Sequence, residues 1–363
     1  MSRVVPFLPT REFGEAPSAR GGALKWGSHA LTRTLVPHTM VLVSVTRILR
    51  RLVWNADERR PRAPVRLVVG LVVIALALVG TALGLRAIRP LLSPLLVESV
   101  PVVVLLTVVS GTASVIAVAA VGWLVDRRRI ADFGLGLDRD WWLDLGFGFA
   151  LGAALMTLVF GVELALGWIV VTGTFAPPDG FVPGFLAVCA LFLVVGVQEE
   201  LLARGYLLTN LCEGLRGWLG ERGSTAVAVL VSSAVFGGLH LGNPNATLVS
   251  TLSISLAGVM LAVGYVLTDD LAIPVGLHIS WNLFQGGVYG FPVSGLGIDV
   301  AVVAIAQRGP DRWTGGAFGP EAGLLGVAAI LLGTLAIVGY VRLRYRFVTV
   351  HPSLTTPDLR WHD

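Results

Sequence analysis

Charged residues are scarce in this chain of 363 residues and make up 14% of it. Hydrophobic residues account for 55%, and the mean hydropathy is +0.78. A composition this apolar excludes an ordinary soluble domain and predicts several membrane spans. Cysteine is also rare. Cys189 and Cys212 have no further Cys or His at ligand spacing, which argues against a disulfide framework and a cysteine-based metal site.

Several signatures of hydrolytic enzymes are absent as well. The sequence has no H-E-x-x-H metalloprotease motif and no G-x-S-x-G nucleophile elbow. The G-x-S-G and G-x-G-D motifs of intramembrane serine and aspartyl enzymes are also missing. These absences leave a serine or aspartate nucleophile without support. No internal repeat stands out, which weakens the interpretation as a secondary transporter built from inverted halves.

Long apolar runs are what the chain has instead, and runs of about 20 such residues are long enough to cross a bilayer as helices. The sequence therefore predicts an all-α polytopic membrane protein with about eight transmembrane helices and a catalytic site within the helix bundle. The predicted spans lie near 67–88, 95–124, 143–172, 183–213, 224–243, 247–267, 271–290 and 321–341.

Positive charge gives these helices a direction. The segment before residue 67 carries twelve basic residues, and the loops 126–140 and 214–223 and the tail after 341 carry ten more. The loops on the other side carry four, namely Arg86, Arg89, Arg308 and Arg312. The positive-inside rule then places both termini in the cytoplasm of a multi-pass protein of the cell membrane. The basic excess is an orientation signal, so we expect the lipid bilayer and no nucleic acid as its partner.

The segments outside the bundle are predicted from composition. Residues 1–66 form a basic cytoplasmic arm that we expect to be disordered for most of its length. Within it, 41–54 is basic and partly amphipathic, which favours a helix on the inner leaflet, although a structureless positive anchor fits equally well. Residues 67–345 form the transmembrane bundle, and 346–363 form a cytoplasmic tail.

Ionisable residues interrupt three of the apolar runs. The interruptions are Glu199-Glu200-Leu-Leu-Ala-Arg204, Phe236-Gly-Gly-Leu-His240 and His278-Ile-Ser-Trp-Asn282. Ionisable groups at membrane depth are costly unless they are paired or face a polar cavity. A single buried histidine is as often a packing residue, but three coincident motifs indicate a site with the polar groups of a hydrolase. Glu98 and Glu163 are not part of such a polar motif and are left out of the predicted site.

Helical spacing assigns different directions to the two glutamates. Adjacent helical residues are about 100° apart, so Glu199 and Glu200 cannot face the same point. Glu200 and Arg204 are four residues apart, which predicts a structural ion pair and leaves Glu199 as the working carboxylate. His278 and Asn282 share a face by the same spacing.

The predicted depths of the two histidines differ. Phe236 and His240 share a helix face, so Phe236 is expected to form a wall of the cavity. At about 1.5 Å per residue, counting from the turn near 214–223 puts Glu199 and His240 at the same depth. His278 lies only eight residues after Asp270, so a straight helix would place it nearer the cytoplasmic side. A tilted helix, a short sixth helix or a broken start at Ile273-Pro274 would place it deeper, and the sequence leaves its depth open.

In this order within a polytopic chain, the three motifs resemble those of the CPBP family. Its members are intramembrane proteases of the CAAX-prenyl-endopeptidase and bacteriocin-processing or immunity type. The resemblance covers residues 183–290 as a catalytic core and implies an intramembrane endopeptidase acting on a membrane-embedded peptide or protein. The family pattern assigns water activation to Glu199 with His240 and the oxyanion to His278 and Asn282. Arg204 would then fix the second carboxylate, that of Glu200.

Three questions stay open at the level of sequence. The resemblance is compatible with a zinc ion held among Glu199, Glu200, His240 and His278, and equally with a metal-free glutamate mechanism. A non-catalytic membrane scaffold or bacteriocin-immunity protein with the same fold is the alternative function, which retention of these polar groups in lipid disfavours. A proton-coupled transporter is a third candidate. Neither the substrate nor the oligomeric state follows from the sequence.

Overall fold

The computed structural model describes residues 52–92, 102–357 and 359. Most of the predicted arm, including 41–51 of the proposed interfacial helix, lies outside these residues, and so does Glu98. Nine helices are described: α1 Ala63–Leu92, α2 Val102–Val121, α3 Arg139–Ala165, α4 Phe181–Glu200, α5 Thr209–Leu239, α6 Leu248–Thr268, α7 Ala272–Asn282, α8 Asp311–Thr314 and α9 Leu324–Tyr345. Three π-helical segments extend α2, α4 and α7, namely Gly122–Asp126, Leu201–Leu208 and Leu283–Val288.

Within the described residues, six helical stretches are long and apolar enough to cross a membrane. They are Ala63–Ile88, Val104–Asp126, Arg139–Ala165, Phe181–Gly242, Leu248–Thr268 and Leu324–Tyr345. The protein is therefore an all-α polytopic membrane protein, as predicted. The stretch Phe181–Gly242 contains two of the eight predicted spans and changes direction at Gly220, whose φ of 67° and ψ of 179° break the helix. The predicted span 271–290 is the shorter α7 with its π-helical extension. The orientation of the termini stays a prediction.

Two antiparallel strand pairs were not anticipated. β1 (Trp54–Asn55) pairs with β2 (Arg60–Pro61), and β3 (Ile169–Ala176) pairs with β4 (Ala301–Gln307). The predicted span 143–172 is therefore too long, because α3 ends at Ala165 and Gly167 takes a left-handed φ of 69°. The β-branched residues of β3 then pair with the distant strand β4. Helical periodicity in the sequence gives no information on such a long-range contact.

Helix α7 lies in the interior of the bundle, and Ala272 to Trp281 are all buried. Glycines bring it against α3. A Cβ on Gly148 would lie 2.3 Å from the carbonyl oxygen of Ile273, and a Cβ on Gly276 would lie 2.3 Å from that of Leu145. Small residues permit such close backbone approach in membranes, where it is a main source of helix association. These glycines determine how deeply α7, which carries His278, sits against α3.

Gly276→Ala is therefore expected to push α7 away from α3, because its new methyl group would overlap backbone atoms that cannot move aside. Overpacking of this kind typically costs about 1–3 kcal/mol. We expect a lower unfolding temperature in detergent and reduced function of the site described below. Gly161→Ala is the matched control, since a Cβ on Gly161 of α3 meets nothing within 4 Å. Equal effects of the two substitutions would contradict this account of the contact.

A buried ionic cluster fixes the π-helical segment after α4 to the start of α1. Tyr206 donates its hydroxyl to the carbonyl oxygen of Arg66 at 2.6 Å. The Arg66 guanidinium lies 3.0 Å from the Asp126 carboxylate and 2.6 Å from that of Glu213. The Arg66 and Glu213 side chains are 2% and 6% exposed, so the pairs are shielded from solvent. The segment that bears Arg204 is thereby held in place.

Candidate active site

The two glutamates stand at the junction of α4 with its π-helical extension. Glu200 is fully buried, whereas the Glu199 side chain is 29% exposed and lines a cavity. The chain continues without a break into Leu201–Leu208, and such π-helical segments frequently occur at functional sites. Because Glu200 is buried and Glu199 lines the cavity, the two side chains point in different directions, as their adjacency on a helix requires.

Glu200 accepts two hydrogen bonds on the same oxygen, Oε1. Arg204 donates through Nη1 at 2.7 Å, and Nδ1 of His278 lies 2.8 Å away. The predicted ion pair between Glu200 and Arg204 is therefore present. Arg204 also donates to the carbonyl oxygen of Gly258 at 2.8 Å and lies 4.5 Å from the ring centre of Phe236. These contacts offset part of the cost of removing both charges from water, although Oε2 of Glu200 and Nε of Arg204 are buried without a hydrogen-bond partner among the described residues.

His278 lies beside both glutamates, which gives the depth that the sequence left open. Its Nε2 is 3.8 Å from Oε2 of Glu199, and its Nδ1 contacts Glu200. The reason is that α7 begins inside the protein. Leu271 is fully buried and donates its backbone N–H to the carbonyl oxygen of Gly134 at 2.9 Å. Folded chain thus covers the start of α7, which a count of residues from the membrane edge does not register.

His240 follows the last residue of α5 and lines the cavity. Its Nδ1 lies 2.8 Å from the carbonyl oxygen of Phe236, which can only accept, so Nδ1 carries the proton and Nε2 is left for other partners. The ring of Phe236 stands 5.0 Å from that of His240 and 5.9 Å from that of His278. Phe236 therefore packs between the two histidines, in agreement with its predicted position in the wall.

One cavity of about 940 Å³ brings most of the predicted residues together. Glu199, His240, His278 and Asn282 all line it, whereas Glu200 and Arg204 stand behind its wall. The lining along α4 and its π-helical extension reaches from Gly184 to Leu207 and is mostly apolar. A concave, mostly apolar space with a few convergent polar groups is the usual form of a ligand site. The catalytic roles of the six residues stay predictions.

Three polar residues in the same wall were not found from the sequence. Asn243 lies within the predicted core, whereas Ser294 and Glu321 lie beyond it, and all three line the cavity. Glu321 is 3% exposed, and burial raises the pKa of its carboxyl group to about 7. Glu321 is the first residue of the predicted span 321–341, and none of the three motifs includes it. Glu163, by contrast, is fully buried in α3 and does not line this cavity.

A catalytic zinc ion would draw its ligands from the candidate set Glu199, Glu200, His240 and His278. Such a site supplies three protein ligands at about 2.0–2.2 Å from the metal. No group of three or more His, Cys, Asp or Glu side chains within the described ranges is close enough to hold a metal. Glu199 and the Nε2 atom of His278 form a pair of donors, and Glu200 is committed to Arg204 and His278. This arrangement does not fit a three-ligand zinc site.

Comparison with known proteins agrees with the motifs. Residues 181–284 match the family model for Rce1-like type II CAAX prenyl endopeptidases. None of the curated proteins or solved structures compared with the chain matches it. The matched segment begins with α4, ends just beyond α7, and contains every residue predicted for the site. Residues 181–284 are therefore similar to the CAAX prenyl endopeptidases that the motifs resemble, and they lie within a polytopic membrane protein.

Proposed function

We propose that this protein is an intramembrane endopeptidase that hydrolyses a peptide bond in a membrane-associated peptide or protein. The family match supports a protease of the CAAX type. The observation that carries the proposal is the placement of Glu199 in a largely apolar cavity, 3.8 Å from an imidazole that a second, buried glutamate holds in position. A general base next to an oriented imidazole is what activation of water requires.

Glu199 acts as the general base in this proposal. Its Oε2 is buried without a hydrogen-bond partner among the described residues, and 3.8 Å to His278 is too long for a direct hydrogen bond. The exposed part of the Glu199 side chain faces the cavity, and a water molecule bound there would contact its carboxylate. Glu199 would take a proton from that water as its oxygen attacks the carbonyl carbon of the peptide bond. As the tetrahedral intermediate collapses and its C–N bond breaks, Glu199 would give this proton to the nitrogen of the leaving amine.

The remaining polar groups orient the attacking water and stabilise the oxyanion of the intermediate. A carboxylate on Nδ1 fixes the orientation of an imidazole and stabilises positive charge on the ring, which is the role we assign to Glu200 on His278. His278 and the amide of Asn282 then stabilise the oxyanion, and each such donor is typically worth about 10²–10³ in rate. His240 presents Nε2 as an acceptor that helps to orient the water. The apolar lining excludes other water and strengthens these interactions.

Cleavage of candidate membrane peptides by the purified protein in detergent tests the proposal. We expect His240→Ala to reduce kcat by about 10²-fold through loss of water orientation. His351→Ala is the matched control, because His351 lies in the segment after α9 and does not line the cavity. A zinc chelator is expected to leave the wild-type rate unchanged, and a lost rate restored by zinc would favour the metalloprotease mechanism. Folded wild type that cleaves no peptide would favour the scaffold function.

A further inference from the structure

A tight turn at residues 293–296 forms part of the cavity wall outside the segment matched by the family model. Val293 and Leu296 exchange two backbone hydrogen bonds of 2.9 Å each. Between them Ser294 and Gly295 have φ angles of 48° and 83°. Positive φ at both central residues defines a type I′ turn, the tightest common reversal of an extended chain. Val293, Ser294 and Leu296 line the same cavity as Glu199.

Buried side chains fix this turn from behind. Glu321 accepts hydrogen bonds from both the backbone N–H and the hydroxyl group of Ser294, the latter at 3.1 Å. The side-chain amide of Gln285 donates to Glu321 and, at 2.5 Å, to the carbonyl oxygen of Pro292. Glu321 is 3% exposed and Gln285 is fully buried. One carboxylate therefore joins the turn to α9 and to the π-helical segment after α7.

The turn is also joined to the chain that follows His240. Asn243, three residues after His240, donates its side-chain amide to the carbonyl oxygen of Ser294 at 3.0 Å. Gly295 donates its N–H to the carbonyl oxygen of Phe318 at 2.7 Å. A Cβ on Gly295 would stand 1.9 Å from the carbonyl oxygen of Pro244, so the turn packs directly on this chain. The position of the turn is thus determined by several independent contacts.

We propose that residues 293–298 form the specificity-determining wall of the cavity, contacting an apolar side chain of the bound peptide. Glu321 is the positioning residue that holds this wall in place. The inference rests on the proposed function and deepens it. Leu296 lines the cavity and is 51% exposed, so its side chain can contact a ligand without being part of the core. Val293 and Ile298 extend the same apolar surface. A wall held by buried hydrogen bonds discriminates between side chains because it does not move to accommodate a side chain of the wrong size or shape.

Binding to a cleavage-deficient protein tests the wall. Two fluorescent membrane peptides, identical except for Leu or Ala at one position near the cleaved bond, are titrated against Glu199→Gln with and without Leu296→Ala. We expect the preference for the Leu peptide to fall by about tenfold, within the range for differences in apolar side-chain contact. Leu332→Ala is the matched control, because Leu332 is 48% exposed on α9 and does not line the cavity. Its peptide preference should equal that of the parent protein.

Kinetics of the active protein test Glu321 as a positioning residue. Glu321→Ala should lower the same peptide preference and raise KM by about tenfold, while kcat changes by less than about threefold. Ser294→Ala keeps the backbone hydrogen bond and should give a smaller change in the same direction. A loss of folded protein or of kcat with an unchanged peptide preference would reduce Glu321 to a purely structural role and overturn its part of the proposal.

The proposed wall and the proposed function can fail separately. If Leu296→Ala leaves the peptide preference unchanged, or the parent protein shows none at any position, the wall is overturned. If Glu199→Gln cleaves as fast as wild type, the proposed role of Glu199 in catalysis is overturned, and the binding ratio still decides whether Leu296 contacts the peptide.

Discussion

Glu199→Gln is expected to remove peptide cleavage almost completely while leaving the protein folded. The substitution preserves the shape of the side chain and removes its ability to accept a proton, so kcat should fall by about 10²–10⁴-fold, the usual contribution of a general base. The Glu199 side chain is 29% exposed to the cavity, and its carboxylate lacks the ionic partner that Glu200 has in Arg204. We therefore expect the unfolding temperature in detergent to stay close to that of wild type.

Glu163→Gln is the matched control for this result. It makes the same chemical change at a buried carboxylate of a membrane helix, but Glu163 does not line the cavity. Its kcat should equal that of wild type. Equal loss of activity in the two variants would indicate a general effect of removing intramembrane charge. Undiminished cleavage by Glu199→Gln would remove Glu199 from the role of general base.

Much of the candidate site follows from helical spacing alone. Residues four apart on one helix must be neighbours, which is why the sequence predicted the contact of Glu200 with Arg204. The same rule explains the contact of Phe236 with His240. Both contacts are local, so no knowledge of the tertiary structure is needed. Apolar length likewise predicted the spans, because the bilayer imposes one distance on all of them.

What the sequence did not predict depends on contacts between distant residues. The depth of His278 is determined by buried chain around Leu271 and by the glycine contacts between α3 and α7. The role of Glu321 emerges only when Gln285 and Ser294 meet it across 36 and 27 positions of the chain. The strand pair β3–β4 joins residues more than 120 positions apart. None of these contacts leaves a periodic signal in the sequence.

Arg204→Met should be the most destabilising of the single substitutions considered. It leaves the fully buried carboxylate of Glu200 without its cation, and breaking a buried pair in this way typically costs about 3–5 kcal/mol. It also removes the hydrogen bond to Gly258 and the contact with the Phe236 ring. The measurement is unfolding in detergent, and we expect a large decrease in the unfolding temperature.

The double variant Glu200→Gln/Arg204→Met separates stability from catalysis. With both charges gone, no buried ion is left unpaired, and the glutamine oxygen can still accept the hydrogen bond from Nδ1 of His278. Most of the lost stability should therefore return. Cleavage should stay at least about tenfold below wild type, because a neutral amide no longer stabilises charge on His278. Recovery of stability together with full activity would show that Glu200 only anchors the helix. Recovery of stability without activity would assign its charge to the reaction that Glu199 begins.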